Sequence, residues 1–272
     1  MELLWKAVLQ GIVQGIAEFL PVSSTAHLLL FGNLLDMEGE EFVRIFNIVI
    51  QLASILAVVI HFRKTLLPPE MLRHEGVRRR TFGLWGKLAV GVVPILLIGV
   101  AAAKLGWMEA MHGQPLIMAG ALFIGGVLLL RVEEWCKTSH PVSDLAGISY
   151  RTAFLIGVFQ CLAIVPGTSR SAVTIVGALA LGLARPPAAE FSFLLAVPTM
   201  TAASAYSMLK YHGSLTGGEW AAIGMGSAVA FLVSLFAVSW LMRFVKTHTF
   251  ELFGWYRMAL ALTVAGYFFL KL

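Results

Sequence analysis

The chain has 272 residues, 58% of them hydrophobic and 13% charged, and its mean hydropathy is +0.84. Too few polar residues remain to build a water-soluble shell, so the solvent must be largely lipid. The net charge of +5 is no nucleic-acid signal, because the basic residues sit in short loops between apolar runs, where they set orientation. The two cysteines, Cys136 in a polar loop and Cys161 in an apolar stretch, support neither a disulfide framework nor a cysteine metal site.

At the N-terminus Glu2 precedes Lys6, and no small-residue cleavage site follows a clean apolar core. This is not a signal-peptide layout, and the segment is expected to stay in the mature protein. The first apolar helix then runs through Gln14 and Glu18 into Pro21, Ser23 and Ser24, and an apolar arm resumes over Leu28 to Leu35. The same plan returns later: Gly157 to Gln160 leads into Pro166, Gly167, Thr168 and Ser169, followed by Ala172 to Leu183. With one gap the two stretches overlay as an internal repeat. Each arm is too short to span, so each pair reads as a re-entrant hairpin. Irregular backbone at membrane depth is tolerated where it lines a cavity enclosed by protein.

Three spans are expected after the first hairpin, near Arg44 to Phe62, Lys87 to Leu105 and Pro115 to Arg131, and three after the second, near Ala188 to Leu209, Glu219 to Met242 and Gly254 to Leu272. An odd number of crossings puts two equivalent hairpins on opposite faces. The expectation is therefore an all-α integral membrane protein with six transmembrane helices plus two re-entrant helical hairpins, arranged as an inverted-topology repeat of residues 1–140 and 141–272 within one structural unit. Arg63, Lys64, Arg73, Arg78, Arg79, Arg80 and Lys87 make the richest basic loop, which places it in the cytoplasm and has the first hairpin enter from outside. The stretch Arg243 to Arg257 is read as another basic loop.

The hairpins concentrate polar groups where lipid-compatible residues would cost least. The first carries Gln14, Glu18, Ser23, Ser24 and His27; the second carries Thr168, Ser169, Arg170, Ser171 and Thr174. A charge near the bilayer centre costs about 2.5 to 3.5 kcal/mol on insertion scales, so Glu18 and Arg170 should pair or bind ligand. An ion pair with capping serines accounts for the charges but leaves the surplus hydroxyls unexplained. Pro166 to Ser171 has the makings of an anion site, with Gly167 at the turn, hydroxyls on Thr168, Ser169 and Ser171, and free N–H groups at a helix start. Arg170 adds bidentate donors suited to phosphate.

Gln14 and Glu18 are four apart and share a helix face, where a carboxylate and an amide oxygen could hold a hard divalent cation, Mg²⁺ or Ca²⁺, completed by water and substrate phosphate. Ser24 and His27 are three apart, which would set an imidazole beside a hydroxyl nucleophile. Glu190, just inside the fourth span, is read as supporting the site or capping its helix. His61, His74, His112, His140, His212 and His248 lie at span ends or in loops without partners at ligand spacing.

The segments GIVQGIAEFLPVSSTAHL and PGTSRSAVTIVGAL, with Glu190 to Pro198 after them, resemble the undecaprenyl-diphosphate phosphatase family associated with bacitracin resistance. The resemblance covers essentially the whole chain. It implies a bacterial inner-membrane enzyme converting undecaprenyl diphosphate to the monophosphate, with the site open to the periplasm, a divalent cation, a polyprenyl diphosphate lipid as substrate and a homodimer. It maps the family's glutamate-rich motif onto Gln14 and Glu18, its essential serine and histidine onto Ser24 and His27, and its arginine onto Arg170. Gln14 stands where other members carry Glu, so Glu18 must carry more of any cation site. A polyprenyl-phosphate flippase or transporter using the same residues is the rival reading, because broken helices meeting at mid-membrane are how many carriers build their sites.

Overall fold

The computed structural model describes residues 1–37, 39–111, 114–136, 141–211 and 213–271. Lipid offers no partner for backbone polar groups, so the apolar runs close their hydrogen bonds internally as helices. These are α1 (Glu2–Ala17), α2 (Ser24–Leu34), α3 (Glu40–His61), α4 (Arg63–Leu66), α5 (Glu75–Lys104), α6 (Trp107–Met111), α7 (Pro115–Trp135), α8 (Tyr150–Gln160), α9 (Arg170–Ala180), α10 (Arg185–Leu209), α11 (Gly217–Phe244) and α12 (Glu251–Lys271). Apart from an isolated bridge between Val142 and Leu183, the described residues carry no strand. Six helices, α3, α5, α7, α10, α11 and α12, are long and apolar enough to cross a membrane, as expected.

Two expected boundaries move. The second span begins at Glu75, not near Lys87, so Arg78, Arg79, Arg80 and Lys87 lie on α5 instead of in a loop. Arginine and lysine are good helix formers whose long stems reach back to water, so the helix continues past its apolar stretch. Arg257 is likewise no loop residue: it lies within α12 and is fully buried. His112, His140 and His212, and residue 140 of the expected repeat boundary, lie outside the described residues.

α1 has 16 residues, and α2, α8 and α9 have 11 each, all short of the roughly 20 that a span requires. They form two helix–break–helix units. Close approach of backbones, with small residues at the contact, is what packs helices in lipid. α1 lies against α11, where a Cβ on Gly11 would come 2.5 Å from the Gly226 carbonyl oxygen and one on Gly15 would come 2.8 Å from that of Ala230. α8 lies against α5, where a Cβ on Gly157 would collide with the Gly91 carbonyl. Each hairpin's first arm thus packs on the middle span of the other half, while α3 meets α10 and α7 meets α12. The largest core runs beneath both breaks and includes Phe19, Phe62, Ile175, Phe191 and Phe193.

Both breaks end on a strained serine. Ser23 has φ 73° and Ser169 φ 67°, and each is the residue before the second arm of its hairpin. Positive φ is costly for a residue with a Cβ and persists where surrounding contacts over-determine it, most often at functional sites.

Candidate functional site between the two breaks

The breaks meet. Glu18, one residue past α1, receives three hydrogen bonds: Arg170 Nη2 donates to Oε1 at 3.0 Å, while Ser24 Oγ and Gln14 Nε2 donate to Oε2 at 2.8 and 2.9 Å. The Glu18 and Arg170 side chains are 5% and 11% exposed. A pair so buried is held by geometry and further hydrogen bonds more than by Coulomb attraction alone. Arg170 Nη1 donates to the Ser192 carbonyl at 3.2 Å, and the guanidinium lies 5.9 Å from the Phe19 ring centre.

A cleft of about 130 Å³ opens over this pair, lined on the first hairpin by Glu18, Ser23 and Ser24 and on the second by Gly167, Ser169 and Arg170. Thr25, Gln51 of α3 and Met200 of α10 also line it, with Ala163, Val165 and Pro166 ahead of the second turn. Hydroxyls and a guanidinium thus surround a small space whose carboxylate is already paired with Arg170. That arrangement accepts an anion with several oxygens.

The remaining hydroxyls work behind the cleft. Thr168 Oγ1 donates to the Val165 carbonyl at 2.7 Å, and Ser171 Oγ donates to the Leu20 carbonyl at 3.0 Å, tying the start of α9 to the first break. Thr174 is fully buried, donates to the Arg170 carbonyl at 2.8 Å and sits 2.6 Å from Ser192 Oγ. Ser169 caps α9, accepting from Ala172 N at 3.3 Å. Of the residues expected to bind phosphate, Ser23, Gly167 and Ser169 line the cleft, whereas Thr168, Ser171 and also Thr174 hold the turn in place from behind it.

His27 corrects a second expectation. Its Nδ1 lies 2.8 Å from the Ser23 carbonyl and its Nε2 2.6 Å from the Tyr256 hydroxyl. A carbonyl only accepts, so in the neutral ring Nδ1 carries the proton and Tyr256 donates to Nε2. Both ring nitrogens are committed, and the hydroxyl of Ser24 is held by Glu18. The helical spacing put both residues near one face, but the bend at Ser23 swings the imidazole towards α12.

For a divalent cation, the donors present are the Glu18 carboxylate and Gln14 Oε1, a fully buried atom that no group satisfies. The Gln14 amide touches Glu18 through Nε2, and the unpartnered Oε1 on the same group is the feature that fits a hard ion, with substrate oxygens supplying further ligands. Among the described residues no group of three or more His, Cys, Asp and Glu converges here or at any other place. Glu190, in the first turns of α10, is not among the cleft-lining residues, whereas its neighbour Ser192 touches both Arg170 and Thr174.

The residue missed in the sequence is Arg257. It donates to the carbonyls of Pro21 at 3.2 Å in the first break and of Gly167 and Thr168, both at 3.1 Å, in the second. It also donates to Ala121 and Leu122 of α7 at 3.2 and 3.3 Å. The signal was present: an arginine inside an apolar span marks a functional site by default.

The fold and site define a polytopic α-helical membrane protein with a small cleft between two broken helices, lined by Glu18, Arg170 and several hydroxyls. The profile of the family described as bacitracin resistance protein BacA matches residues 7–263, and the chain belongs to that family. It is 43% identical over 265 residues to the undecaprenyl-diphosphatase of Lacticaseibacillus paracasei, covering 95% of this chain and 96% of the relative. It is also 43% identical over 263 residues to that of Enterococcus faecalis, covering 95% of each. The undecaprenyl-diphosphatase of Aquifex aeolicus is 39% identical over 264 residues, covering 97% of this chain and 98% of the relative.

Proposed function

We propose that the protein hydrolyses undecaprenyl diphosphate to undecaprenyl phosphate and inorganic phosphate, recycling the lipid carrier of cell-wall synthesis and so conferring bacitracin resistance. The observation that carries this reading is the joint engagement of Glu18 by Ser24 and Arg170, which sets a hydroxyl, a base and a phosphate-matched cation around one cleft. The names of relatives covering nearly the whole chain support the same activity.

In the proposed mechanism the diphosphate's terminal phosphate competes with Glu18 for Arg170. With Arg170 drawn to the phosphate, the Glu18 carboxylate takes the proton of Ser24 Oγ while the oxygen attacks phosphorus. The bond from phosphorus to the bridging oxygen breaks, and the lipid monophosphate leaves with the electron pair. Water then displaces the phosphate from Ser24, and Glu18 returns the proton. Arg170 and the N–H groups around Ser169 neutralise charge on the equatorial oxygens, which together with in-line positioning is the larger part of phosphoryl-transfer catalysis. A divalent cation held by Glu18 and Gln14 would supply further neutralisation of the diphosphate. His27, braced by Tyr256, keeps the Ser23 turn in the shape that presents Ser24.

The exchanged packing of the two halves supports an inverted repeat, and the arginine-rich end of α5 supports a bacterial inner-membrane orientation with the cleft facing the periplasm. Reactivity of single introduced cysteines with an impermeant reagent tests that orientation. Cross-linking in native membranes tests the homodimer. The same packing favours lipid translocation as a second reading. Purified protein in detergent is expected to release phosphate from undecaprenyl diphosphate, and Ser24→Ala and Arg170→Ala are expected not to. Lipid exchange without phosphate release would favour the carrier.

A further inference from the structure

Arg257 is fully exposed to none of the surrounding solvent, with 0% of its surface accessible. Among the described residues no carboxylate lies within ion-pair distance of it. Its guanidinium spends its donors on five carbonyls, three of which belong to the breaks. A buried cation without a counter-charge is expensive in lipid, and purely structural tethering could be done by a neutral amide. The charge calls for a second explanation.

The peptide planes supply one. In a trans peptide the C=O and the next N–H point in opposite directions. Of the three break carbonyls that Arg257 engages, the peptide of Pro21 sends the Val22 N–H to the Leu20 carbonyl at 2.7 Å, and that of Gly167 sends the Thr168 N–H to the Val165 carbonyl at 3.2 Å. The peptide of Thr168 sends the Ser169 N–H away from Arg257, at a residue that lines the cleft beside Arg170. This N–H precedes α9 and has no carbonyl a turn behind it to accept.

We infer that Arg257 is a positioning residue of the phosphate site: by holding the Thr168 carbonyl from behind, it turns the Ser169 N–H into the cleft, and its unmatched charge is balanced by the bound phosphate. The inference rests on the proposed phosphatase reading for its kinetic part, and on phosphate binding alone for its structural part. Gly125 makes the arrangement possible, since a Cβ there would collide with Arg257 Nη2 and come 2.9 Å from Cζ.

Wild type, Arg257→Lys, Arg257→Gln and Gly125→Ala, each purified in detergent, would be compared in two assays: phosphate release from undecaprenyl diphosphate, and thermal stabilisation by titrated inorganic phosphate. Arg257→Lys keeps the charge but not the fork, so kcat is expected to fall by about 10²-fold, the loss typical of one misplaced donor, with KM changed little. Arg257→Gln removes the charge as well and is expected to weaken phosphate-induced stabilisation by about tenfold in apparent Kd beyond the lysine variant. Gly125→Ala displaces the guanidinium without changing its charge and should match the lysine variant in kcat. Equal kcat and equal phosphate affinity per folded molecule in all four proteins would overturn the inference, because Arg257 would then serve only to hold helices together. If wild type releases no phosphate from the lipid yet is stabilised by inorganic phosphate, the phosphatase reading fails, while the graded loss of stabilisation still decides the role of Arg257.

Discussion

The Ser24 hydroxyl donates to Glu18 Oε2 at 2.8 Å, across the bend that separates the two arms of the first hairpin. The same carboxylate receives Arg170 at 3.0 Å from the second hairpin. The proposed base, the hydroxyl and the guanidinium proposed to bind phosphate are thus joined through one side chain, and the consequences of changing each can be separated.

Glu18→Gln removes the base and leaves Arg170 as an uncompensated buried charge. Breaking such a pair from one side costs about 3 to 5 kcal/mol. The variant is expected to lose phosphate release by at least about 10³-fold and to unfold at markedly lower temperature. Adding Arg170→Met should restore thermal stability without restoring activity, as followed by thermal scans in detergent beside phosphate release.

Ser24→Ala keeps the ion pair and removes the hydroxyl that supports Glu18. Its stability should change by about 1 kcal/mol, while turnover is abolished. Incubating wild type with substrate labelled in the terminal phosphate and quenching within one turnover should leave label on Ser24. Full activity of Ser24→Ala would point to water as the attacking group.

Tyr256→Phe deletes the donor to His27 Nε2 and little else. One hydrogen bond is worth about 1 kcal/mol, so kcat should fall less than about tenfold if the imidazole chiefly braces the turn. A loss near that of Ser24→Ala would mean that His27 transfers a proton during the reaction.

Gln14→Glu replaces the amide that donates to Glu18 and carries an unpartnered Oε1 with a second carboxylate. The cation concentration giving half-maximal phosphate release, measured after chelation and titration with Mg²⁺ or Ca²⁺, should fall by about tenfold, since affinity follows ligand charge. An unchanged titration would remove Gln14 from the cation site.

Gly157→Ala places a Cβ against the Gly91 carbonyl. Neither backbone can retreat without parting α8 from α5, so overpacking of about 1 to 3 kcal/mol is expected, visible as a lower unfolding temperature with kcat per folded molecule preserved.

Much of this protein was settled by local physics along the chain. Apolar runs such as those of α3 and α11 must be helices across lipid whatever surrounds them. Pro21 and Pro166, each followed within three residues by serine, favour a helix break at those points, whereas Pro94 and Pro198 lie inside α5 and α10. That a carboxylate on one break would meet the guanidinium on the other also followed from cost, since Glu18 and Arg170 are each prohibitive alone in a membrane. What the chain could not announce depends on directions set by packing between distant elements. His27 turns to Tyr256 because the strained φ of Ser23 redirects α2 towards α12. Thr174 faces Ser192 because α9 lies against α10. Arg257, visible in the sequence as a charge at the start of an apolar span but without any sign of its partners, reaches five carbonyls from three parts of the chain because helix α12 runs past both breaks where they touch. Hydropathy and motif spacing are properties of neighbours in sequence. The use of each donor and acceptor is a property of neighbours in space, and it was decided when the two hairpins were brought together.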